Sequence, residues 1–242
     1  MMCTLVLTRC ITMEIYILAF TFVTNTLTLA KFVCISDTHG FHGAIDSWLP
    51  EADCIIHSGD ISSRGKEFEI VTFLSWYSQL PYKHKILIAG NHDWFMEKDP
   101  ELLKMIMPPN ITYLNDSMTI IDGIKIWGSP VQPWFHDWAF NRNRGADIRK
   151  HWDLIPEGTD IVVTHGPCYG CGDEESRNFQ NVGCHDLWEK VNIIKPKVCV
   201  AGHIHEGYGV TEKSGIKFIN ASILNEHYHV ANKPIVFEIP TP

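Results

Sequence analysis

Five short apolar runs each end abruptly in a polar cluster, and that pattern restricts the chain more than any other feature of its sequence. Lys31–Ser36 runs into Asp37-Thr38-His39-Gly40, and Asp53–His57 runs into Gly59-Asp60. Lys85–Ala89 meets Gly90-Asn91-His92-Asp93, Asp160–Thr164 meets His165-Gly166, and Lys197–Ala201 meets Gly202-His203-Ile204-His205. Short, continuous apolar runs of this kind suit strands buried on both faces. Between them, Lys66–Leu80 places Ile70, Val71, Leu74 and Tyr77 at helical spacing, and Cys184–Ile194 does the same with Leu187, Val191 and Ile194. Pro81 and Pro196 stop these helices. Ile111–Trp127 reads as strands turning at Asn115-Asp116 and Asp122-Gly123, and Lys217–Ile219 and Pro234–Glu238 read as two more. Strands alternating with helices predict a layered α/β fold. Open α/β sheets bind ligands beyond the carboxyl ends of their strands, so the five polar clusters are expected to converge on one site.

The residues in those clusters share one chemistry. Asp37, His39, Asp60, Asn91, His92, His165, His203 and His205 offer oxygen and imidazole donors, and no thiolate sits among them. Such a mixture suits Mn2+, Fe or Zn2+ better than Cu(I) or an iron–sulfur cluster. The set is larger than one catalytic ion with an open position can use. Two ions about 3.5–4 Å apart can instead clamp the attacking and leaving oxygens of a phosphate ester. Gly59, Gly90 and Gly202 each precede a candidate ligand, where the backbone must turn sharply.

The order Asp-x-His, Gly-Asp, Gly-Asn-His-Asp, His-Gly, Gly-His-x-His resembles the calcineurin-like metallophosphoesterase superfamily, from about Phe32 to the end of the chain. Gly128–Asn141, Ile155–Gly158, Gly202–Gly209 and Phe218–Ser222 are similar to the metallophosphoesterase-domain-containing subfamily, known as class III cyclic-nucleotide-type phosphodiesterases, and to its bacterial relatives. The chain departs from many relatives at Gly166-Pro167-Cys168, where they have Gly-Pro-Pro; this bears on substrate shape, not metal binding.

The resemblance implies a four-layer αββα sandwich of two mixed β-sheets flanked by helices, in a domain covering residues 31–242. It implies two divalent metal ions, Mn2+ first, with Fe or Zn2+ as alternatives. Asp37, His39 and His205 would hold one ion, Asn91, His165 and His203 the other, and Asp60 would bridge them. Water between the ions is the expected nucleophile. His92 is expected to protonate the leaving oxygen or to stabilise charge on the phosphate, and Asp93 to orient His92 or a neighbouring ligand. Asn91 is also expected to face the substrate. The implied activity is hydrolysis of a small phosphodiester such as a cyclic nucleotide. The rival reading is a non-catalytic binding or scaffold module of the same fold, and the complete ligand set favours the enzyme.

Other residues carry weaker signals. Arg64 and Arg144 lie in polar loops where either could fork onto a phosphate or simply meet solvent. Trp134, Phe135, Trp138 and Phe140 are read first as core, with a stacking platform for a nucleobase as the alternative. His57 is read as packed beneath the site, and His42, His84, His136 and His151 as surface or loop residues. Cys34, Cys54 and Cys199 read as buried apolar residues. Cys168 and Cys171 have C-x-x-C spacing, which allows a zinc clip or redox pair but lacks a matching second motif.

A net charge of -8 without a Lys/Arg cluster argues against a nucleic-acid partner and against a nuclease. The expected partner is a small phosphoester; membrane association and oligomeric state are left open. Residues 1–30 are set apart as an apolar extension. Ile15–Ala30 is uncharged and resembles the apolar core of a signal peptide, although Glu14 precedes it and Arg9 is the segment's one basic residue. A cytoplasmic location is expected, with export as the alternative if the segment acts as a leader.

Overall fold

The computed structural model describes residues 28–176 and 178–242. The expected strands form and sort into two sheets. The first is built from β1 (Leu29–Ile35), β2 (Cys54–Ser58), β3 (His84–Ile88) and β4 (Thr112–Tyr113), all parallel. In the second, β5 (Ser117–Ile121) and β6 (Ile124–Ser129) form a hairpin, with Asp122 and Gly123 both at positive φ in its turn. A small parallel ladder of β7 (Gln132–Pro133) and β8 (Asn141–Arg142) projects beyond it. The second sheet continues through β9 (Ile161–Thr164), β10 (Val198–Ala201), β11 (Gly209–Lys213) and β12 (Ile216–Asn220). β13 (Ile235–Pro240) returns to the first sheet, antiparallel to β1. The strand orders are β13-β1-β2-β3-β4 and β11-β12-β10-β9-β6-β5.

Alternation along each strand divides the apolar residues among three cores. Phe32 and Cys34 of β1, Ile56 of β2, Ile86 and Ile88 of β3, Ile126 of β6, Val163 of β9 and Val200 of β10 fill the space between the sheets. Their neighbours point the other way. Val33, Ile35, Ile55 and Leu87 pack under α1 (Glu67–Gln79), through Ile70, Phe73, Leu74 and Tyr77. The short helices α2 (Trp94–Lys98) and α3 (Pro100–Ile106) add Phe95, Met96 and Leu103 to the same layer. On the far side, Trp127, Val162, Cys199 and Phe218 pack under α4 (Ala146–Trp152) and α5 (His185–Ile194). Helices, sheet, sheet and helices make the expected four layers, with the central strands β2, β9 and β10 buried on both faces.

Some details differ from expectation. β1 starts at Leu29 rather than Lys31. Phe73, not Val71, completes the buried face of α1, and Val71 is exposed. α2, α3, α4 and β11 are short elements without a clear periodic signal. His42 is buried rather than at the surface, edge-on to Phe73 and beside Trp76. Among the described residues no helix is long and apolar enough to cross a membrane. The apolar stretch read as leader-like lies almost wholly outside the described residues.

Cys168, Cys171, Cys184 and Cys199 are free thiols buried in the outer core of the second sheet. Burial pushes the Cys171 thiol up to about 12 and the Cys184 thiol up to about 11. Among the described residues no group of three or more thiols is close enough to hold a metal ion.

Phe32 is fully buried between the sheets and stacks on Phe237 with ring centres 5.0 Å apart. Phe32→Ala is expected to cost about 3–5 kcal/mol, read as a lower urea midpoint at unchanged slope. Phe41→Ala, at a half-exposed position, serves as the near-neutral comparison.

Candidate metal centre

Because β1, β2, β3, β9 and β10 run parallel within their sheets, their carboxyl ends are where the polar clusters emerge. The two sheets are joined there. Ser36 bridges to Ser222, and the Ile223 N–H donates to the Ser36 carbonyl at 2.9 Å. The loops after β1 and β2 continue their pairing past the strand ends, with Asp37 N–H donating to the Gly59 carbonyl and His39 N–H to the Asp60 carbonyl, each at 3.0 Å.

Turning ligands back over the edge requires unusual backbone. Asp37, His39, Asp60 and His203 hold φ values of 52°, 41°, 55° and 67°. Asp and His are among the side chains that enter this left-handed region most readily, yet each such residue costs on the order of 1–3 kcal/mol. Gly202 is forced by contact rather than by φ. A Cβ there would collide with the Asp37 carboxylate and the Ser36 side chain.

The expected ligands come together. His205 Nε2 lies 3.4 Å and His39 Nε2 lies 4.0 Å from Asp37 Oδ1. Asp60 Oδ2 stands between His39 Nε2 at 3.6 Å and His165 Nε2 at 3.3 Å. His165 Nε2 also meets Asn91 Oδ1 at 2.9 Å. Three overlapping groups are compact enough to hold a metal ion: Asp37, His39 and His205; Asp60, His165 and His203; and His39, Asp60 and His92. Asp60 belongs to two of them, as a shared carboxylate would.

The imidazoles are aimed from behind. Nδ1 of His39 donates to the Ser62 carbonyl at 3.1 Å, that of His165 to Ser58 at 2.9 Å, and that of His205 to Asn225 at 2.9 Å. With Nδ1 so engaged, Nε2 is the nitrogen left to face the centre. His39 Nε2 is buried without a hydrogen-bond partner. A buried imidazole nitrogen left unpaired among two carboxylates fits a divalent cation.

Asp93 binds the site from below rather than facing it. Its carboxylate accepts from Gly90 N–H at 2.8 Å, Ser62 N–H at 3.0 Å, Ser62 Oγ at 2.6 Å and Ile61 N–H at 3.3 Å, clamping the loops after β2 and β3 together. Burial, with Asp60 nearby, pushes its pKa up to about 6. His92 donates its backbone N–H to Asp60 Oδ1 at 2.8 Å, and its Nδ1 meets the Ser63 carbonyl at 2.8 Å. His57 is packed as expected, with Nε2 on Thr38 Oγ1 at 3.0 Å.

The centre opens into a cleft of about 560 Å³. Arg144 lines it, but its guanidinium donates to the Gly183 and Val182 carbonyls, both at 2.8 Å. Arg64 is exposed and is not among the lining residues. The aromatic patch is not core. Trp134 and Phe135 are 60% and 55% exposed and line the cleft with Trp138, and only Phe140 is buried. The lining also includes Tyr228 and Glu175, which no motif marked, and Glu206, which lies within the Gly202–Gly209 segment but was given no role there. A faint signal was available for Tyr228, which follows the turn former Asn225, whose side chain accepts from His227 and His229 N–H at 3.0 Å. Asn220 lies behind the wall, donating to the Ile204 and Gly172 carbonyls at 2.7 and 2.9 Å.

The sequence profile described as calcineurin-like phosphoesterase matches residues 30–207. The chain belongs to this family. It is 39% identical over 235 residues to human metallophosphoesterase domain-containing protein 1, an alignment covering 88% of this chain and 72% of the relative. A UPF0046 protein of Caenorhabditis elegans is 37% identical over 230 residues, covering 88% and 82%. Two solved structures share the fold at 14% identity. TT1561 of Thermus thermophilus has a TM-score of 0.57, covering 80% of this chain and 89% of its own. Phosphopantetheinyl hydrolase of Mycobacterium tuberculosis has a TM-score of 0.56, covering 82% and 90%. The family is metal-dependent, and this chain carries groups of residues able to hold metal.

Charge balance in the centre yields a measurable consequence. Burial works against the Asp37 carboxylate, but its contact with His205 holds its pKa well below the usual range. Burial likewise disfavours charge on His165 and His205, yet the carboxylates outweigh it: Asp60 lifts His165 to about 9, and Asp37 lifts His205 to about 9. Without metal these rings hold protons to neutral pH and above. A cation needs their Nε2 lone pairs, so its binding expels those protons and weakens as pH falls below about 9. Calorimetric titration of metal-stripped protein with Mn2+ at pH 7, in buffers of different ionisation enthalpy, is expected to record about two protons released. Apparent affinity should fall about tenfold per pH unit for each proton displaced.

Proposed function

We propose that this protein is a hydrolase of small phosphodiesters, a class that includes cyclic nucleotides, and that it works with two divalent ions, Mn2+ foremost. The observation that carries the reading is the double use of Asp60 and His39 across overlapping groups, with His39 Nε2 buried and unpaired. In this reading Asp37, His39 and His205 hold one ion, Asn91, His165 and His203 the other, and the Asp60 carboxylate serves both. When bound, such ions supply Lewis acidity toward phosphoryl oxygens and a lowered pKa for water.

The chain's own residues do the rest. The clamp made by Asp93 keeps Asp60 and Asn91 in mutual register, because the loops that carry them hang on one carboxylate. His92 stands at the cleft wall, close enough to share a group with His39 and Asp60. The Ser63 carbonyl accepts from its Nδ1–H and orients the ring, leaving Nε2 as the nitrogen that would pass a proton to a departing alkoxide. Trp138 stacks on His92 with ring centres 4.3 Å apart and limits its tilt. The cleft volume suits a small ester rather than a folded protein segment.

The test compares bis(p-nitrophenyl) phosphate with p-nitrophenyl phosphate on metal-stripped protein with Mn2+ restored. Faster turnover of the diester is expected, and no turnover of either by folded, metal-loaded protein would leave a binding module as the better reading. Asp60→Asn is expected to abolish turnover and lower the bound metal. His92→Ala should keep the metal and lose about 10²–10⁴-fold in kcat. Full turnover by His92→Ala on both esters would remove it from the role of acid.

A further inference from the structure

The wall of the cleft is more specific than phosphate hydrolysis requires. Three of its aromatic rings each stand beside a histidine of the centre. Trp138 lies 4.3 Å from His92, Tyr228 lies 5.1 Å from His39 and 5.0 Å from His205, and Phe135 lies 6.5 Å from His203, centre to centre. Trp134 extends the row and is the most exposed of the lining aromatics. Large rings left in water at the mouth of a cleft mark a surface awaiting an occupant.

These rings are held in place. Trp134 N–H donates to the Arg142 carbonyl at 2.8 Å, extending the β7–β8 ladder. Asn141 Nδ2 donates to the Phe135 and His136 carbonyls at 3.3 and 3.0 Å. Ala139 N–H reaches the Asn91 carbonyl at 3.1 Å and ties the aromatic loop to a candidate ligand loop. Two carboxylates, Glu175 and Glu206, line the same cleft; Glu175 accepts from Asn178 Nδ2 at 3.1 Å and Glu206 from Ser176 Oγ at 3.0 Å. Arg144, the arginine among the described lining residues, has both terminal nitrogens on the Gly183 and Val182 carbonyls.

Aromatic faces attract cations through their negative π-surfaces, and groups of such faces are the recurrent receptor for quaternary ammonium. Carboxylates lining the same cleft add attraction for the same charge and repel a second anion. Resting on the phosphodiesterase reading above, we propose that one substituent of the substrate ester carries an onium cation of the choline or ethanolamine type, seated among Trp134, Phe135, Trp138 and Tyr228 and facing Glu175 and Glu206. The phosphate then lies toward the histidines and the cation toward the mouth. A flat nucleobase would also satisfy the rings but would make no use of charge in the two carboxylates.

The decisive comparison keeps shape constant and changes charge. p-Nitrophenyl phosphorylcholine and p-nitrophenyl 3,3-dimethylbutyl phosphate differ in a nitrogen replaced by carbon, and both release p-nitrophenol. With the Mn2+-loaded full chain, kcat/KM for the choline ester is expected to exceed that for its neutral isostere by on the order of tenfold. Trp134→Ala and Glu175→Gln should each bring that ratio toward one, and Trp134→Tyr should restore most of it. The ratio is taken within each variant, so lost protein does not imitate the effect. The p-nitrophenyl phosphorylethanolamine arm separates an ammonium from a trimethylammonium preference.

Equal rates for ester and isostere, with bis(p-nitrophenyl) phosphate still turned over, would overturn the onium site and leave the phosphodiesterase reading intact. A cyclic nucleotide preferred over the choline ester would do the same and favour the base. Quenching of tryptophan fluorescence by phosphorylcholine against 3,3-dimethylbutyl phosphate gives the same ratio without turnover. Equal affinities there would overturn the proposal even if no ester were hydrolysed.

Discussion

Two carboxylates buried at the junction of the sheets set the terms for the surrounding structure. Asp37 and Asp60 are 0% and 2% exposed, and a buried ionised carboxylate is tolerated only when charge or hydrogen bonds compensate it. Much of the nearby architecture supplies that compensation. His203 N–H donates to both oxygens of Asp37 at 3.1 and 3.0 Å, and His92 N–H donates to Asp60. Five imidazoles stand around the pair, and four of them are oriented by backbone carbonyls through Nδ1. The left-handed turns at Asp37, His39, Asp60 and His203 persist only because these contacts over-determine the loops.

The sandwich makes such a junction possible. A single sheet would deliver Asp37, Asp60 and Asn91 along one edge, with the second wall missing. The second sheet brings His165, His203 and His205 from strands far later in the chain, and the dry core between the sheets fixes the distance between the two edges. Destabilising that core and loosening the site are therefore coupled, since the loops that carry the candidate ligands spring from the strand ends that the core fixes. Asp93 is the local counterpart of this coupling, holding the β2 and β3 loops together with four accepted hydrogen bonds.

What could be read from the sequence follows from which interactions are local. The strands beneath the polar clusters are legible because burial on both faces demands unbroken apolar runs, as in Phe32–Ile35 and Val198–Ala201. The convergence of the candidate ligands is legible because sharp turns and metal chemistry together favour Gly, Asp and His in fixed local order. The cleft wall is not. Tyr228 and Glu175 reach the site through loop paths set by tertiary contacts, such as the Asn225 carbonyl on His205. Val71 and Phe73 exchange places because helical spacing allows either on the inner face, and only the sheet beneath α1 decides. Trp134 and Phe135 read as core and prove exposed because aromatic composition does not distinguish a buried ring from one presented to a ligand.

The thiols show how the fold separates two kinds of chemistry. Cys168 follows His165 by three residues, close enough in sequence to invite a role in the centre. The strand β9 ends between an inner and an outer layer, and the chain after His165 crosses to the outer side. There Cys168 joins Cys171, Cys184 and Cys199 among Trp152, Leu187 and Val191. Burial raises Cys168, Cys171 and Cys184 and keeps them neutral, so they offer neither thiolate nucleophiles nor soft ligands. The oxygen and imidazole donors stay on the opposite side of the same sheet edge. Among the described residues the groups able to hold an ion at the cleft offer oxygen and imidazole donors, a set that suits hard and borderline ions, and topology as much as residue type keeps the thiols out of it.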